Sequence, residues 1–252
     1  MIYQPEINLA QSNKNVIGIL TKKTNEYILD FYLKFEKKYK FEVFFILDSP
    51  LENNKNFIFI NDKICEKYNC RNLTFTTLKK FTSWDRGICF FNYYFQNYDF
   101  VWIIEDDVFI KSTKDLKDII EKYKNKNFDL IASYIKQKKE FKNWSNWKLL
   151  KAHYQYFENF EYRSINPFCR ISKELIKNTC SYLKNYINLS NYFHELIFIN
   201  ICIKNNLNYK SFNPIKDKIR IRWRPEINLE DLKNENKVIF HPLKNYDLIK
   251  KI

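Results

Sequence analysis

The sequence predicts an α/β protein with a mostly parallel β-sheet flanked by helices. Short apolar runs rich in β-branched and aromatic residues alternate with amphipathic segments, the pattern of strands and covering helices. Polar residues directly follow several of these runs, and in α/β sheets ligands bind at the carboxyl ends of the strands. A hydrophobic content of 45% in 252 residues supplies enough core for a single domain, residues 1–252.

The chain begins with a strand–helix–strand unit. Residues 15–21 form an apolar run, residues 25–40 carry apolar side chains at helical spacing, and residues 41–47 form a second run that ends at Asp48 and Pro50. This order predicts two parallel strands joined by a right-handed crossover.

Further elements follow the same alternation. Between residues 57 and 134 the pattern predicts a short strand (57–60), a helix within 78–95 that starts near Thr82, a strand (100–104), a helix (112–124) and a strand (129–134). Beyond residue 135 it predicts a polar surface loop with two tryptophans (136–147), helices (173–183 and 191–204), an edge strand (219–225) and a last apolar segment (238–244).

Three adjacent carboxylates end one predicted strand. Glu105, Asp106 and Asp107 directly follow a buried run, where like charges and burial both disfavour ionised groups. A divalent metal that holds phosphates would compensate them, and a polar turn is the alternative. Because parallel strands meet at their carboxyl ends, Thr21 and Asp48 are expected at the same edge.

The stretch 101–108 resembles the Asp-x-Asp-type motif of GT-A-fold, nucleotide-sugar-dependent glycosyltransferases. The strand–helix–strand start, the Trp84-Asp85-Arg86 helix and the late His241-Pro242-x-Lys244 sequence are similar to that group as well. The resemblance implies a Rossmann-like GT-A fold, in which residues 15–135 bind the nucleotide sugar and residues 136–252 bind the acceptor.

The resemblance also implies a metal and its ligands. Mn²⁺ or Mg²⁺ would hold a nucleoside-diphosphate sugar, with Asp107 as the metal ligand and Asp106 or Glu105 on the ribose or the metal. Glutamate as the first acid departs from the family pattern. His241 is a candidate third ligand, since neutral imidazole binds transition metals, and a surface histidine is the alternative.

Several further residues are candidates for donor binding. Lys244 and Arg86 would meet phosphate, and Asp85 would bind the base or ribose, although an aspartate near a helix start is also ordinary helix chemistry. Lys80, Thr21 and Asp48 complete this predicted donor set.

The predicted catalytic residues open the helix at 191–204. A glycosyl transfer that inverts configuration needs a base for the acceptor hydroxyl. His194 and Glu195 are both candidates, but adjacent helical residues point about 100° apart, and we favour Glu195. The alternative is that Glu195 only complements the helix N-terminus.

Composition leaves two other functions open. The net charge of +14 permits a basic nucleic-acid-binding module, although the acidic strand end argues against it and we expect no nucleic-acid partner. A metal-dependent nucleotidyltransferase or nuclease would also use an acidic cluster, but two glycines cannot supply a Gly-rich phosphate loop.

The sequence carries no membrane or secretion signal that we recognise. No apolar run approaches the ~20 residues of a membrane span, and the first residues lack a signal peptide's pattern. The six cysteines have no zinc spacing and are expected to be reduced. We therefore expect a soluble protein with the cytoplasm as its compartment, while a secretory lumen stays open.

Overall fold

A computed structural model describes residues 16–22, 25–50, 56–70, 81–144, 147, 160–185, 194–234 and 236–251. The strands are β1 (Val16–Thr21), β2 (Glu42–Leu47), β3 (Phe57–Ile58), β4 (Phe100–Glu105), β5 (Phe109–Ile110), β6 (Leu130–Gln137), β7 (Tyr162–Ser172), β8 (Tyr209–Ser211), β9 (Ile219–Ile221) and β10 (Ile239–His241). The helices are α1 (Glu26–Tyr39), α2 (Asp62–Lys67), α3 (Ser83–Cys89), α4 (Thr113–Tyr123), α5 (Lys173–Asn185), α6 (His194–Lys204) and α7 (Leu229–Lys233).

The strands form two sheets. The larger has seven strands in the order β3-β2-β1-β4-β7-β6-β8, and only β7 runs against the others. The smaller has three strands in the order β5-β10-β9. The predicted α/β fold, a mostly parallel sheet flanked by helices, is confirmed.

The larger sheet is buried on both faces because its side chains alternate. In β1, Val16 and Leu20 join a core formed with α3, α5 and α6, whereas Ile17 and Ile19 join a core formed with α1 and α4. Helices thus cover both faces, as parallel sheets require.

The antiparallel strand β7 is a long central element that the sequence pattern does not predict. Its run of polar residues, which includes Arg163, Ser164 and Asn166, hides the strand signal, and Pro167 argues against a central strand. The β6–β7 pairing shifts register on either side of Ser133, so the proline falls where the ladder is irregular.

The predicted surface loop at 136–147 differs from the structure. Strand β6 continues to Gln137, and Trp144 and Trp147 are buried with their rings edge to face. Four short elements, α2, β5, β8 and α7, are additional. The predicted start of α6 at residue 191 lies outside the described residues, and the described helix begins at His194.

The small sheet brings the end of the chain to the acidic turn. Strand β10 pairs with β5, which follows Asp107 by two residues, and the Leu243 N–H donates to the Asp107 carbonyl at 2.8 Å. His241 is consequently held against the carboxyl end of β4. Within the described ranges, no helix combines the length and the apolar content needed to span a membrane.

Candidate metal centre and its cavity

A cavity of about 700 Å³ opens at the carboxyl ends of β1, β2 and β4. Its walls come from the strand ends, the first turn of α3, the start of α6 and the segments 223–226 and 241–244. This is the edge at which α/β sheets bind ligands, and the acidic turn lies on it.

The acidic turn aims two of its three carboxylates at one histidine. Strand β4 ends at Glu105, and the Val108 N–H donates to the Glu105 carbonyl at 3.1 Å, which closes a turn. The His241 Nε2 atom lies 3.3 Å from Asp107 Oδ1 and 3.7 Å from Glu105 Oε2. One ligand atom from each of these residues lies within 4.8 Å of the other two.

Asp106 points away from this group. Its Oδ2 atom accepts the Thr21 hydroxyl at 2.9 Å and the Lys22 N–H at 3.0 Å. Burial raises the pKa of Asp106. Asp106 therefore ties the end of β4 to the end of β1, and Glu105, rather than Asp106, joins Asp107 and His241 in the structure.

The orientation of His241 is fixed from behind. Its Nδ1 atom lies 2.9 Å from the Arg222 carbonyl, which is only an acceptor, so Nδ1 carries a proton. The Nε2 atom is left facing the two carboxylates. A backbone carbonyl on one imidazole nitrogen is the usual support for a metal bond at the other.

Opposite charges dominate the electrostatics of the acidic turn. Burial by itself raises the pKa of Asp107, but His241 and Lys244 outweigh it and lower that pKa to about 2. Burial lowers the pKa of His241, yet Asp107 and Glu105 raise it to about 9. A cation bound to Nε2 would therefore replace a proton, and its affinity should increase with pH.

The residues present fit a divalent metal. Asp107 Oδ1 is buried, and it faces the His241 Nε2 atom at 3.3 Å without hydrogen-bond geometry, although buried polar atoms are normally satisfied. Two carboxylates and one imidazole suit Mn²⁺ better than Mg²⁺, which prefers oxygen ligands alone.

Trp84 and His194 form one wall of the cavity. Their rings stack with centroids 4.0 Å apart, and the Trp84 indole N–H donates to Glu105 Oε1 at 2.7 Å. The Asn166 amide nitrogen donates to the His194 carbonyl at 3.0 Å, and the same NH₂ group lies 3.3 Å from the imidazole Nδ1 atom. Nδ1 must then accept, and burial lowers the pKa of His194 to about 4. His194 is a neutral imidazole with its proton on Nε2.

Glu195 lies behind the cavity wall. It is buried, and the Trp223 indole N–H donates to its two oxygens at 3.0 and 3.3 Å. Burial raises the pKa of Glu195 to about 8, although Arg163 acts in the opposite direction. A carboxyl with that pKa changes charge near neutral pH, which suits a proton acceptor.

Some of the residues predicted to bind the nucleotide sugar line the cavity, and others make contacts that stabilise the fold. Thr21 binds Asp106, and Asp48 accepts the Ser83 N–H at the start of α3. Lys244 contacts Asp107. Lys80 lies outside the described residues.

Asp85 and Arg86 are used within the fold. Asp85 accepts the Thr82 N–H at 2.8 Å and so caps α3, the alternative that the sequence left open. Arg86 is buried, pairs with Asp62 at 2.7 Å and does not line the cavity.

Sequence reasoning missed Trp84 and Trp223 as cavity residues. Trp84 precedes the charged pair Asp85 and Arg86, and Trp223 lies within the alternating arginines Arg220, Arg222 and Arg224, of which Arg224 also lines the cavity. Two of those arginines, Arg220 and Arg222, pair with Asp231 at 2.5 and 2.6 Å. Aromatic residues beside charged motifs were the available signal.

Comparison with known proteins identifies the fold. No protein-family model and no curated protein matches the chain. An active-site mutant of LgtC superimposes with a TM-score of 0.52 and 11% identity, over 94% of this chain and 93% of that one. The galactosyltransferase LgtC with donor and acceptor sugar analogues gives 0.50 and 12%, over 92% and 87%.

A third structure, mouse xyloside xylosyltransferase 1 in its apo form, gives a TM-score of 0.46 and 10% identity, over 93% of this chain and 98% of that one. The two LgtC structures confirm that the chain has a GT-A-type fold. The likeness to the LgtC structures covers 94% and 92% of this chain.

Proposed function

We propose that this chain is a metal-dependent glycosyltransferase, which moves a sugar from a nucleoside-diphosphate sugar to an acceptor hydroxyl. The observation that carries the proposal is the convergence of Glu105, Asp107 and His241 at the ligand edge of a GT-A-type sheet. The structural neighbours support it, because LgtC was solved with donor and acceptor sugar analogues. They do not favour a nucleotidyltransferase.

The metal would be held by Asp107, His241 and Glu105. When bound, a divalent ion neutralises the charge of the departing nucleoside diphosphate. Asp106, predicted from the sequence as a ligand, instead fixes the turn through Thr21. Lys244 pairs with Asp107 in this structure and, if Asp107 binds a metal, would be available to bind a phosphate group.

Donor and acceptor would occupy the two predicted parts of the chain. Residues 15–135 supply the strand ends and α3, and residues 136–252 supply α6 and the segments that carry Trp223 and His241. The free, buried cysteines of the described chain fit a reducing compartment, so we propose the cytoplasm.

Glu195 would act as the base, with the acceptor hydroxyl replacing the Trp223 N–H as its hydrogen-bond partner. His194, neutral and fixed by Asn166, would donate a hydrogen bond from Nε2 into the cavity. Transfer should therefore become faster as the pH rises to about 8, where Glu195 loses its proton. Glu195→Gln should remove this dependence and most of the transfer activity.

Calorimetric titration with UDP and GDP, with and without Mn²⁺, tests the proposed function. We expect Mn²⁺-dependent binding of one nucleotide, and Asp107→Asn should weaken it by more than the ~10–100-fold that follows loss of an outer-shell partner. Asp118→Asn is the matched control, since Asp118 is an exposed residue of α4. A screen of nucleotide-sugar hydrolysis with Mn²⁺ would then name the donor.

Two results would contradict the proposal. One is the absence of metal-dependent binding for every nucleoside diphosphate. The other is salt-sensitive DNA binding that Asp107→Asn leaves unchanged, which would favour a nucleic-acid-binding module.

A further inference from the structure

A second cavity, of about 660 Å³, lies beside the metal centre, and Trp223 lines both. Its aromatic lining consists of Trp223, Tyr134, Phe141 and Trp144. Arg163 from β7 also lines it, and we call this space the Arg163 cavity.

Among the described residues, the buried Arg163 side chain has ring contacts and no polar partner. It is 5% exposed, and its guanidinium lies over the rings of Phe141 and Trp144, at 4.7 and 4.4 Å from their centroids. Its guanidinium forms no hydrogen bond or ion pair with any residue that the structure describes, and its Nε atom is fully buried. A buried cation held only by ring faces keeps most of its desolvation cost.

The other buried arginines of the described chain show how this protein normally satisfies a guanidinium. Arg170 lies over the Phe100 ring at 4.0 Å, but it also donates to three backbone carbonyls. Arg86 lies over the Phe59 ring and pairs with Asp62. Arg163 has the ring contacts without the acceptors, and an anion in its cavity would supply them.

Nearby charges do not replace that anion. Lys136 and Arg222 also line the cavity, and each has its own acid, Glu140 at 3.6 Å and Asp231 at 2.6 Å. The acid whose charge acts on Arg163 is Glu195, which accepts the Trp223 N–H. The described lining contains three cationic residues and no carboxylate.

Three of the four aromatic residues that line the cavity are exposed. Tyr134, Phe141 and Trp223 are 42%, 47% and 49% exposed, and they are three of the five exposed large hydrophobic residues described. Tyr134 has a φ of 49°, which is unusual for a bulky residue, and it lies where the β6–β7 register shifts. Such irregularities redirect side chains beside functional sites.

We propose that the Arg163 cavity is the acceptor subsite, and that it takes a sugar bearing a carboxylate or phosphate group. The anion would bind Arg163 through its paired N–H donors, and the apolar face of the sugar ring would pack on the aromatic side chains. This inference rests on the proposed function. The shared Trp223 places the bound sugar next to Glu195 and the metal centre.

NMR titrations with three probes test the subsite: methyl glucuronide, glucose 6-phosphate and methyl glucoside. The wild-type protein should bind at least one anionic probe about 10-fold more tightly than the neutral glucoside. The anion that binds better identifies the group as carboxylate or phosphate. Equal binding of all three probes would overturn the proposal.

Arg163→Met should abolish the preference for the anionic probe, and Arg163→Lys should restore only part of it, because lysine lacks the guanidinium fork. Lys139→Met, which removes an exposed charge outside the cavity lining, should leave the preference intact. If Lys139→Met weakened binding as much as Arg163→Met does, general surface charge would explain the preference and the subsite would be refuted.

Two further measurements separate this inference from the proposed function. Arg163→Met should keep the wild-type affinity for Mn²⁺ and nucleoside diphosphate, and it should not lower the midpoint of thermal unfolding. A lower midpoint would assign Arg163 a structural role and overturn the inference. If the wild-type protein showed no metal-dependent nucleotide binding, the proposed function would be refuted instead.

Discussion

Glu195 shows how the environment of one residue sets its chemistry. Glu195 lies in the first turn of α6 and is 1% exposed. Burial disfavours its charged form and raises its pKa to about 8. The folded state therefore binds a proton more tightly than the unfolded chain does. Between pH 4.5, the ordinary pKa of a glutamate, and pH about 8, stability must fall as the pH rises.

Glu195→Gln should remove this source of pH dependence. The wild-type glutamate costs at most about 1.4 kcal/mol for each pH unit in that interval, so the variant should gain stability relative to the wild type as the pH increases. Urea unfolding at pH 5 and at pH 8 measures the difference. Glu174→Gln changes an exposed first-turn glutamate of α5 and is the control. Parallel curves for wild type and Glu195→Gln would disprove the prediction.

At the scale of an element, Asp85 closes the first turn of α3. The Asp85 carboxylate accepts the backbone N–H of Thr82 at 2.8 Å and its hydroxyl at 3.0 Å. Asp85→Ala should therefore cost about 1–2 kcal/mol of unfolding free energy, as loss of a cap does. Metal-dependent nucleotide affinity, measured by titration, should stay within about twofold, and a large loss would instead support the ribose contact predicted from the sequence.

The close contact between β1 and the π-helical segment Phe90–Tyr94, which continues α3, gives a second prediction for an element. A Cβ atom at Gly18 would lie 2.7 Å from the Phe91 ring, so Gly18→Ala should destabilise the protein by about 1–3 kcal/mol in urea unfolding. Gly87→Ala is the matched control. Its Cβ atom would lie 3.1 Å from Leu20, and the helix propensity of alanine, worth about 1 kcal/mol, offsets the crowding. Equal losses would contradict this account.

At the scale of the whole molecule, the metal centre joins distant parts of the chain. Asp107 follows β4, whereas His241 ends β10, and the small sheet holds them together. A ligand that bridges them should stabilise the folded state, by about 2.7 kcal/mol when its concentration is 100-fold above the dissociation constant.

Mn²⁺ together with the preferred nucleoside diphosphate should therefore raise the midpoint of thermal unfolding by about 5 °C or more. EDTA should reverse the shift, and Asp107→Asn should not show it. A shift of the same size in that variant would mean that the ligand binds elsewhere.

Much of the fold follows from local patterns in the sequence. Strands β1, β2 and β4 are apolar runs bounded by polar residues, and the amphipathic helices between them predict the parallel arrangement. Strand β7 could not be predicted in this way. Its arginines and asparagine face cavities and backbone carbonyls from a distant part of the chain, so their burial depends on tertiary partners.

Local sequence was enough to place an acidic cluster after a buried strand, at the ligand edge of an α/β sheet. It was not enough to show that Glu105, and not Asp106, joins Asp107 and His241. The turn after β4 determines which carboxylates face His241, because it directs Asp106 to the Thr21 hydroxyl and the Lys22 amide. The direction of a side chain in a turn depends on backbone geometry and on contacts more than 80 residues away, which no local pattern encodes.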